Sequence, residues 1–295
     1  MIYGFILEHS RMFKVNKMCA VLGVSTSGYY DWIDRETSVE EKRKQNVMKH
    51  IEHIFYANYE VYGSPRITKK LEDMGFNITE RTVGRYMREM GLSAVPKEKF
   101  VITTDSKHHN EIYPNNLNRE FNDAPDEVWA TDITYIWTSQ GWLYLAVVMD
   151  LFSRKIVAWH MEQFLKKELA TTALERALTF RNPSDKLLHH SDRGVQYTSN
   201  EYIDLLNDHE IQISMSRKGD CFDNACVESF FATLKKELVY RRRFKTREEA
   251  KLEIWKYIAR FYNEKRIHST LGYVSPNDYE RAYFQEGKTS NQEVA

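Results

Sequence analysis

Apolar positions near the start of the chain recur with a helical period. They fall, with the three-to-four spacing of an amphipathic helix, at Val15, Met18, Cys19 and Leu22. Gly23 ends this pattern, and Ser25 is a favourable N-cap for a second helix that runs through Tyr29 and Trp32. The pattern therefore predicts a helix-turn-helix segment within residues 1–37.

A second pair of helices is predicted within residues 38–95. Ser64 is a good N-cap residue, and Pro65 suits the first position of a helix. The apolar residues that would face a core are Ile67, Leu71 and Met74 in this helix, and Val83, Tyr86, Met87 and Met90 in the next. Gly75 separates the two helices, Thr79 can cap the second, and Gly91 suits its C-terminal end. These signals predict a second helix-turn-helix domain.

The second helix of this pair carries a basic stripe on another face, made of Arg81, Arg85 and Arg88. A recognition helix needs cations for phosphates and donors for base edges, so the stripe is a candidate DNA contact. Helical hairpins with exposed arginines also occur in proteins that bind no nucleic acid. This segment by itself leaves both interpretations open.

The chain changes character after a polar segment, residues 96–124, which is predicted to be a linker. Short runs of β-forming residues are predicted as strands at 127–137, 142–149, 156–160, 187–190 and 211–215, with helices at 166–180, 200–207 and 221–238. A three-strand meander followed by alternating helices and strands indicates an α/β domain with a mixed sheet, the element order of an RNase H-like domain at 125–240. Residues 241–295 are predicted to form a C-terminal helical extension.

Composition narrows the class of protein. The hydrophobic fraction of 42% and the aromatic fraction of 13% are typical of a globular protein. The longest apolar run, residues 142–149, is far shorter than a membrane span, and residues 1–10 lack the features of an export signal. A cytoplasmic protein without a membrane partner is expected. The three cysteines lack zinc-type spacing, so neither a disulfide framework nor a structural zinc is predicted.

Charge is unevenly distributed although the formal net charge is zero. The net charges of residues 1–120, 121–230 and 231–295 are +2, −7 and +5. An acidic middle between basic flanks is expected if the middle holds metal-binding carboxylates and the flanks hold a polyanion. Ordinary solvated faces are the alternative explanation.

Three carboxylates occupy positions suited to phosphoryl transfer. Asp132 interrupts the first predicted strand, Asp192 follows the fourth, and Glu228 lies in the last helix of the set. In an RNase H-like sheet the first and fourth strands are neighbours and the helix packs across them, so these groups could converge. Two divalent ions held by such carboxylates can activate a nucleophile and stabilise a leaving oxygen during DNA cleavage.

Other polar residues are ambiguous. Asp150 could assist at the site, but a turn or salt-bridge role is favoured. His189 and His190 could approach a metal, but packing or hydrogen bonding is favoured because the zinc-module partners are missing. The basic cluster at Arg241, Arg242, Arg243 and Lys245 could track a DNA backbone or could be a solvated helix end.

Several motifs occur in an order that resembles a known family. They are HSDRGVQY, DNACVESFFATLKKE and FYNEKRIHSTLGYVSPNDY, with 35 residues between Asp192 and Glu228. The spacing resembles the DD(35)E signature of transposases and retroviral-type integrases, and the motifs resemble OrfB-type transposases of the IS-three family over nearly the whole chain. Asp220 and Val195 depart from the family's usual Asn and Ser. The last motif includes Tyr262, His268 and Tyr273, to which no role is assigned.

The resemblance implies roles for individual residues. Asp132, Asp192 and Glu228 would be the catalytic metal ligands for two Mg²⁺ ions, which Mn²⁺ could replace. Lys235 would contact DNA near the cleaved phosphate, and Asn224, one helical turn before Glu228, shares its face.

The implied function is that of a transposase that binds the terminal inverted repeats of a mobile element, cleaves the ends and joins them to a target. The partners would be double-stranded DNA, further copies of the chain on DNA and an upstream-frame protein, with the chain associated with the nucleoid when bound. One alternative is a catalytically silent DNA-binding regulator that needs fusion to the upstream frame. Another is an RNase H-like nuclease acting on RNA, which the helix-turn-helix units disfavour.

Overall fold

The computed structural model describes residues 2–34, 38–94, 112–117, 124–183, 186–217 and 225–292. Within these ranges the helices are α1 (Ile2–His9), α2 (Val15–Val21), α3 (Thr26–Ile33), α4 (Val39–Ala57), α5 (Ser64–Asp73), α6 (Glu80–Glu89), α7 (Lys167–Arg181), α8 (Asn200–Asp208), α9 (Ala225–Glu237), α10 (Arg247–Trp255) and α11 (Pro276–Gln292). The strands are β1 (Val128–Thr138), β2 (Gly141–Asp150), β3 (Ile156–Glu162), β4 (Leu188–Ser191) and β5 (Gln212–Met215). Every helix in the described ranges is too short or too polar to traverse a lipid bilayer.

Residues 1–54 form one of two compact units. The predicted helices α2 and α3 are present, and the Ser25 hydroxyl accepts the Gly28 N–H at 2.9 Å as an N-cap. Helix α1 was not predicted, because its nearly continuous apolar run does not show the three-to-four residue spacing of an amphipathic helix. It forms where Ile6 packs with Cys19 and Tyr29.

Residues 55–295 form the second unit, and α4 runs across the boundary between the two. The predicted pair α5 and α6 is present, and Thr79 caps α6 by accepting the Thr82 N–H. The prediction that Ser64 is the N-cap of α5 is wrong. Gly63 has the extended backbone of the cap, so Ser64 is the first helical residue and its hydroxyl donates to Glu80 at 3.3 Å. The five-segment division of the chain stays a prediction.

The five strands form a mixed sheet in the order β3-β2-β1-β4-β5. Strand β1 pairs antiparallel with β2 and parallel with β4, so the first strand is central and the fourth lies beside it, as predicted. Helix α7 supplies Ala173 and Leu174 to a core that includes Trp129 on β1 and Val148 on β2. This burial fixes the register of β1 and therefore the position of each polar residue on it.

Part of the predicted linker lies along the outer edge of the sheet. The Met215 N–H donates to the Pro114 carbonyl at 3.3 Å, and the Asn116 side chain donates to the Ile213 carbonyl at 3.0 Å. The Asn116 N–H also donates to the Ser214 hydroxyl. Residues 112–117 thereby satisfy backbone groups at the edge of β5 that would otherwise face solvent.

The C-terminal helix is fastened to the sheet by a buried ionic network. Glu280 on α11, 4% exposed, accepts two hydrogen bonds of 3.0 Å from Arg181, one from Lys155 at 2.9 Å and one from Ser153. The carboxylate of Asp150 accepts the Ser153 N–H and hydroxyl, both at 2.8 Å. The turn role favoured for Asp150 is therefore confirmed, and Glu280 joins α11 to the sheet domain.

Candidate active site

Two of the predicted carboxylates lie just beyond the end of the ladder between the parallel strands β1 and β4. The ladder between β1 and β4 runs from Val128 to Ala130, and Asp132 follows two residues later. Asp192 comes directly after the last residue of β4. Because β1 and β4 are parallel, both residues lie past the same end of this ladder, and the half-buried carboxylates of Asp132 and Asp192 line one cavity.

Backbone donors orient both carboxylates. The Ile133 N–H donates to Asp132 Oδ1 at 2.7 Å, and the Gly194 N–H donates to Asp192 Oδ1 at 2.8 Å. A Cβ at residue 194 would stand 2.9 Å from Asp192 Oδ1. A side chain at residue 194 would displace the Asp192 carboxylate, so glycine here permits the observed orientation. This role of Gly194 was not predicted from the sequence.

The three carboxylates act on one another electrostatically. Burial raises the pKa of Asp132 well above its ordinary value, and the charges of Asp192 and Glu228 raise it further. Burial also raises the pKa of Glu228, and Asp192 adds to that shift. Ionised oxygens therefore repel one another at this site unless a cation balances them.

The donor chemistry of the site fits a hard divalent cation, because carboxylate oxygens are the ligands that Mg²⁺ prefers. As the described residues are placed, however, no three acidic, histidine or cysteine side chains stand close enough to hold a metal ion together. Because unbalanced carboxylates repel, a cation would be needed to draw the three side chains closer together. Coordination by all three residues stays a prediction.

Lys235 lies on α9 beside the carboxylates. It is 6% exposed, and burial lowers its pKa while the charge of Asp132 acts in the opposite direction. Its ammonium lies 4.8 Å from the centre of the Tyr135 ring, a cation–π distance. Asn224, predicted to share this face, lies outside the described residues.

A cavity of about 190 Å³ opens beside the carboxylates. Its lining includes Asp132, Asp192, Tyr135, Tyr144, Leu165 and Tyr197. The Tyr197 side chain is 2% exposed, and both its burial and the charge of Asp132 raise its pKa. Tyr197 therefore stays a neutral phenol against the two acids. Tyr197 ends the HSDRGVQY motif, but its position against the acids was not predicted.

The C-terminal motif supports the helix that carries Glu228. The ring of Tyr262 packs edge-on against Phe230, two residues after Glu228, with 4.7 Å between the ring centres, and His268 packs edge-on against Tyr262. The Asn263 side chain bonds both the N–H and the carbonyl of Ile156, at 3.0 and 2.9 Å. The motif therefore couples α9 to β3, a role that only the structure revealed. Tyr273 has a left-handed backbone, with φ of 63°, in the turn that follows.

The two histidines on β4 are structural. His189 Nε2 lies 3.0 Å from the Tyr202 hydroxyl, and His190 Nδ1 lies 2.9 Å from the Ser214 hydroxyl. Both rings are buried, and burial lowers the pKa of His189 to about 3. A buried imidazole with a hydroxyl hydrogen-bond partner explains each of them, as the favoured interpretation expected.

The basic residues divide into paired and exposed groups. Arg241 bonds Glu60 at 2.8 Å and Arg242 pairs with Glu253, so these two arginines stabilise the fold. Within the described ranges, the side chains of Arg243 and Lys245 are exposed and have no ion-pair partner. The α6 stripe, composed of Arg81, Arg85 and Arg88, also faces solvent. Arg85 Nε lies 4.0 Å from Glu89 Oε1, and Arg88 Nε donates to the Gly84 carbonyl at 3.2 Å.

Comparison with known proteins identifies three matching regions. Residues 122–221 and residues 209–276 match families described as integrase core domain, and residues 42–100 match one described as HTH-like domain. The chain is 39% identical over 283 residues to the transposase InsF for insertion sequence IS3A of Escherichia coli strain K12, which covers 94% of this chain and 98% of that protein. It is 40% identical over 269 residues to the insertion element IS600 uncharacterized 31 kDa protein of Shigella sonnei, covering 91% and 99% of the two chains.

Solved structures give weaker matches. The HTLV-2 integrase catalytic core domain in complex with magnesium has 16% sequence identity and a TM-score of 0.41, and covers 53% of this chain and 97% of that chain. A simian T-cell lymphotropic virus intasome in complex with the PP2A regulatory subunit B56 gamma has 16% identity and a TM-score of 0.42, with 75% and 70% coverage.

Proposed function

Because this chain belongs to the transposase family of insertion sequence IS3, we propose that Asp132, Asp192 and Glu228 are the residues with which it cleaves and transfers DNA strands. The chain is a DDE-type polynucleotidyl transferase with an RNase H-like core and an HTH-like region. The identities of the catalytic side chains, the bound metal and the DNA sequences that the chain binds are proposals.

One observation supports the assignment most. Asp192 and Glu228 both raise the pKa of the Asp132 carboxyl, although the three residues come from a strand, a strand end and a helix. A protein gathers like charges at one place at a cost to stability, and such groups are candidates for a functional site. The oxygen-only donor set favours Mg²⁺. Two ions are proposed because two-metal sites stabilise both the attacking and the leaving oxygen, and Mn²⁺ would be able to replace them.

The side chains divide the work of the reaction. Divalent ions, when bound, activate the attacking oxygen and stabilise the leaving oxygen. Backbone N–H groups of Ile133 and Gly194 hold the Asp132 and Asp192 carboxylates in fixed orientations. Lys235 places a cation next to Asp132, where it would bind the phosphate beside the cleaved bond. Asn224 is proposed to contact DNA from the residues before α9.

The metal proposal is tested by strand transfer between DNA that bears the element's own ends and a plasmid target. We expect joined product with Mg²⁺ or Mn²⁺ and none after chelation, since the reaction needs cations among the carboxylates. Readdition of Mg²⁺ to the chelated protein should restore the product. Transfer that continues at full rate in the chelator would exclude a metal mechanism.

DNA binding is proposed for the exposed face of α6. The three arginines lie on one side of the second helix of a helix-turn-helix pair, and this is the element that such domains place in the major groove. The ligands would be the terminal inverted repeats, held at two ends by a dimer or higher oligomer. Target DNA and a product of the upstream frame are further proposed partners. The chain would act in the cytoplasm, at the nucleoid.

The double substitution Arg85→Ala/Arg88→Ala is expected to weaken binding to the terminal repeat by about tenfold or more and to reduce the salt dependence of binding by roughly two phosphate contacts. Fluorescence anisotropy at several salt concentrations measures both effects. Arg281→Ala is the matched control, since Arg281 is an exposed arginine on α11. An unchanged salt slope in the double variant would remove α6 from the DNA interface.

A further inference from the structure

Three large aromatic side chains remain exposed at the tip of the β1–β2 hairpin. Trp137 is 59% exposed, Trp142 42% and Tyr135 36%. Their rings are adjacent and nearly perpendicular, with centres 4.7 Å apart for Trp137 and Trp142 and 5.1 Å apart for Tyr135 and Trp142. We call Tyr135, Trp137 and Trp142 the hairpin aromatic cluster.

Strand geometry places the cluster on one face of the sheet. Tyr135 and Trp137 are two residues apart on β1, and Trp137 lies opposite Trp142 in the register with β2. Further along the same face, Ala146 and Val148 are buried in the core with α7. The aromatic residues therefore extend an apolar face beyond its core, into solvent.

The backbone beneath the cluster is held in place. Thr138 pairs with Phe244 in an isolated bridge, and the Ser139 N–H donates to the Phe244 carbonyl at 2.9 Å. The Arg247 guanidinium donates to the Trp142 carbonyl at 2.9 Å, and the Arg247 backbone N–H donates to the Gln140 side chain at 3.0 Å. A ligand that stacks on these rings would pay little to order them.

The cluster is continuous with the candidate active site. Although Tyr135 and Asp132 alternate to opposite faces of β1, both line the cavity of about 190 Å³ at the edge of the sheet, where β1 has no β4 partner. The Lys235 ammonium lies over the Tyr135 ring. The exposed Arg243 and Lys245 are the sequence neighbours of Phe244, which bridges to Thr138 at the end of β1. Proteins bind unpaired nucleotides on surfaces that combine exposed aromatic rings with cations. The hairpin aromatic cluster has this composition and lies beside the proposed catalytic carboxylates.

We propose that the hairpin aromatic cluster stacks an unpaired base of the DNA strand whose phosphate lies at the carboxylates. The proposal rests on the proposed function, which brings a strand end to Asp132. A base inside a duplex has both faces covered by its neighbours, so the bound base must leave the stack. The cations bordering the rings favour a polyanion over a second copy of this chain.

The test uses the full-length chain and a DNA end that carries 2-aminopurine at its unpaired terminal position. Wild-type protein is expected to quench the probe by stacking. The Trp137→Ala/Trp142→Ala variant should lose the quenching and bind the unpaired end about tenfold more weakly, with fully paired DNA affected less than about twofold. Trp255→Ala, which removes a tryptophan of the same 42% exposure from α10, is the control. Trp142→Phe should retain most of the quenching, since stacking needs a ring and not an indole.

Two outcomes would overturn the proposal. One is equal quenching and equal affinity in wild type and the double variant. The other is loss of self-association in the double variant by sedimentation with DNA binding unchanged, which would assign the cluster to an interface between copies. Repeating the measurement in Asp192→Asn protein separates the stacking proposal from the proposed catalytic role of the carboxylates. Quenching without strand transfer fits both, whereas retained strand transfer would contradict the proposed carboxylates and leave the stacking surface intact.

Discussion

The Asp192→Asn protein is expected to transfer DNA strands at least about a thousandfold more slowly than wild type. Asparagine keeps the size of the side chain and an oxygen that can accept the Gly194 N–H, which donates at 2.8 Å. It removes the negative charge that would bind a divalent cation. Because the substitution changes charge more than shape, binding to the terminal repeat should stay within about twofold of wild type.

Asp132→Asn and Glu228→Gln are expected to slow strand transfer by the same order of magnitude. Each removes one of three carboxylates whose charges act on one another. The measurement is the rate of product formation with saturating Mg²⁺ and a single DNA end, with DNA binding measured on the same preparations. Asp204→Asn on α8, an exposed carboxylate, should leave transfer unchanged. If the Glu228→Gln protein kept full activity, Glu228 would have no part in the reaction.

Arg266→Met is expected to destabilise the protein by about 3–5 kcal/mol. Arg266 and Glu237 are 5% and 8% exposed, and two guanidinium nitrogens of Arg266 lie 2.8 and 2.9 Å from the Glu237 oxygens. The Tyr257 hydroxyl also donates to Glu237 at 2.6 Å. Burial acts to lower the pKa of Arg266, but the Glu237 carboxylate outweighs it and raises the pKa. Methionine would leave a buried carboxylate without its counter-charge.

Urea unfolding of Arg266→Met, Glu237→Met and the double variant measures the loss of stability. The double variant Arg266→Met/Glu237→Met should recover much of the lost stability, since removing both charges removes the uncompensated one. Arg242→Met is the control. Its pair with Glu253 is half-exposed, so its loss should cost less than about 1 kcal/mol. Equal losses for Arg266→Met and Arg242→Met would show that burial adds nothing to the Arg266 pair.

The periodic parts of the chain were predictable from local signals. Helix α6 and strand β2 have strong apolar patterns and clear end signals, and each was placed within a residue or two. Helices α1 and α4 were missed. The first has too uniform an apolar pattern, and the second is dense in charge, so neither shows one apolar stripe. Ser64 was misassigned as a cap because its side chain is favourable there, whereas the backbone of Gly63 decided the position.

The amino-acid order by itself determined which residues are candidates for the chemistry. Asp132, Asp192 and Glu228 stand in motifs whose wording and spacing are local properties, and motif and spacing pointed to a transposase before any fold was known. Only the tertiary structure decided what surrounds them. Tyr197, the support of α9 by Tyr262, and the exposed aromatic rings beside Asp132 depend on contacts between residues far apart in the chain. Burial and field strength arise from packing in three dimensions, so no local pattern encodes them.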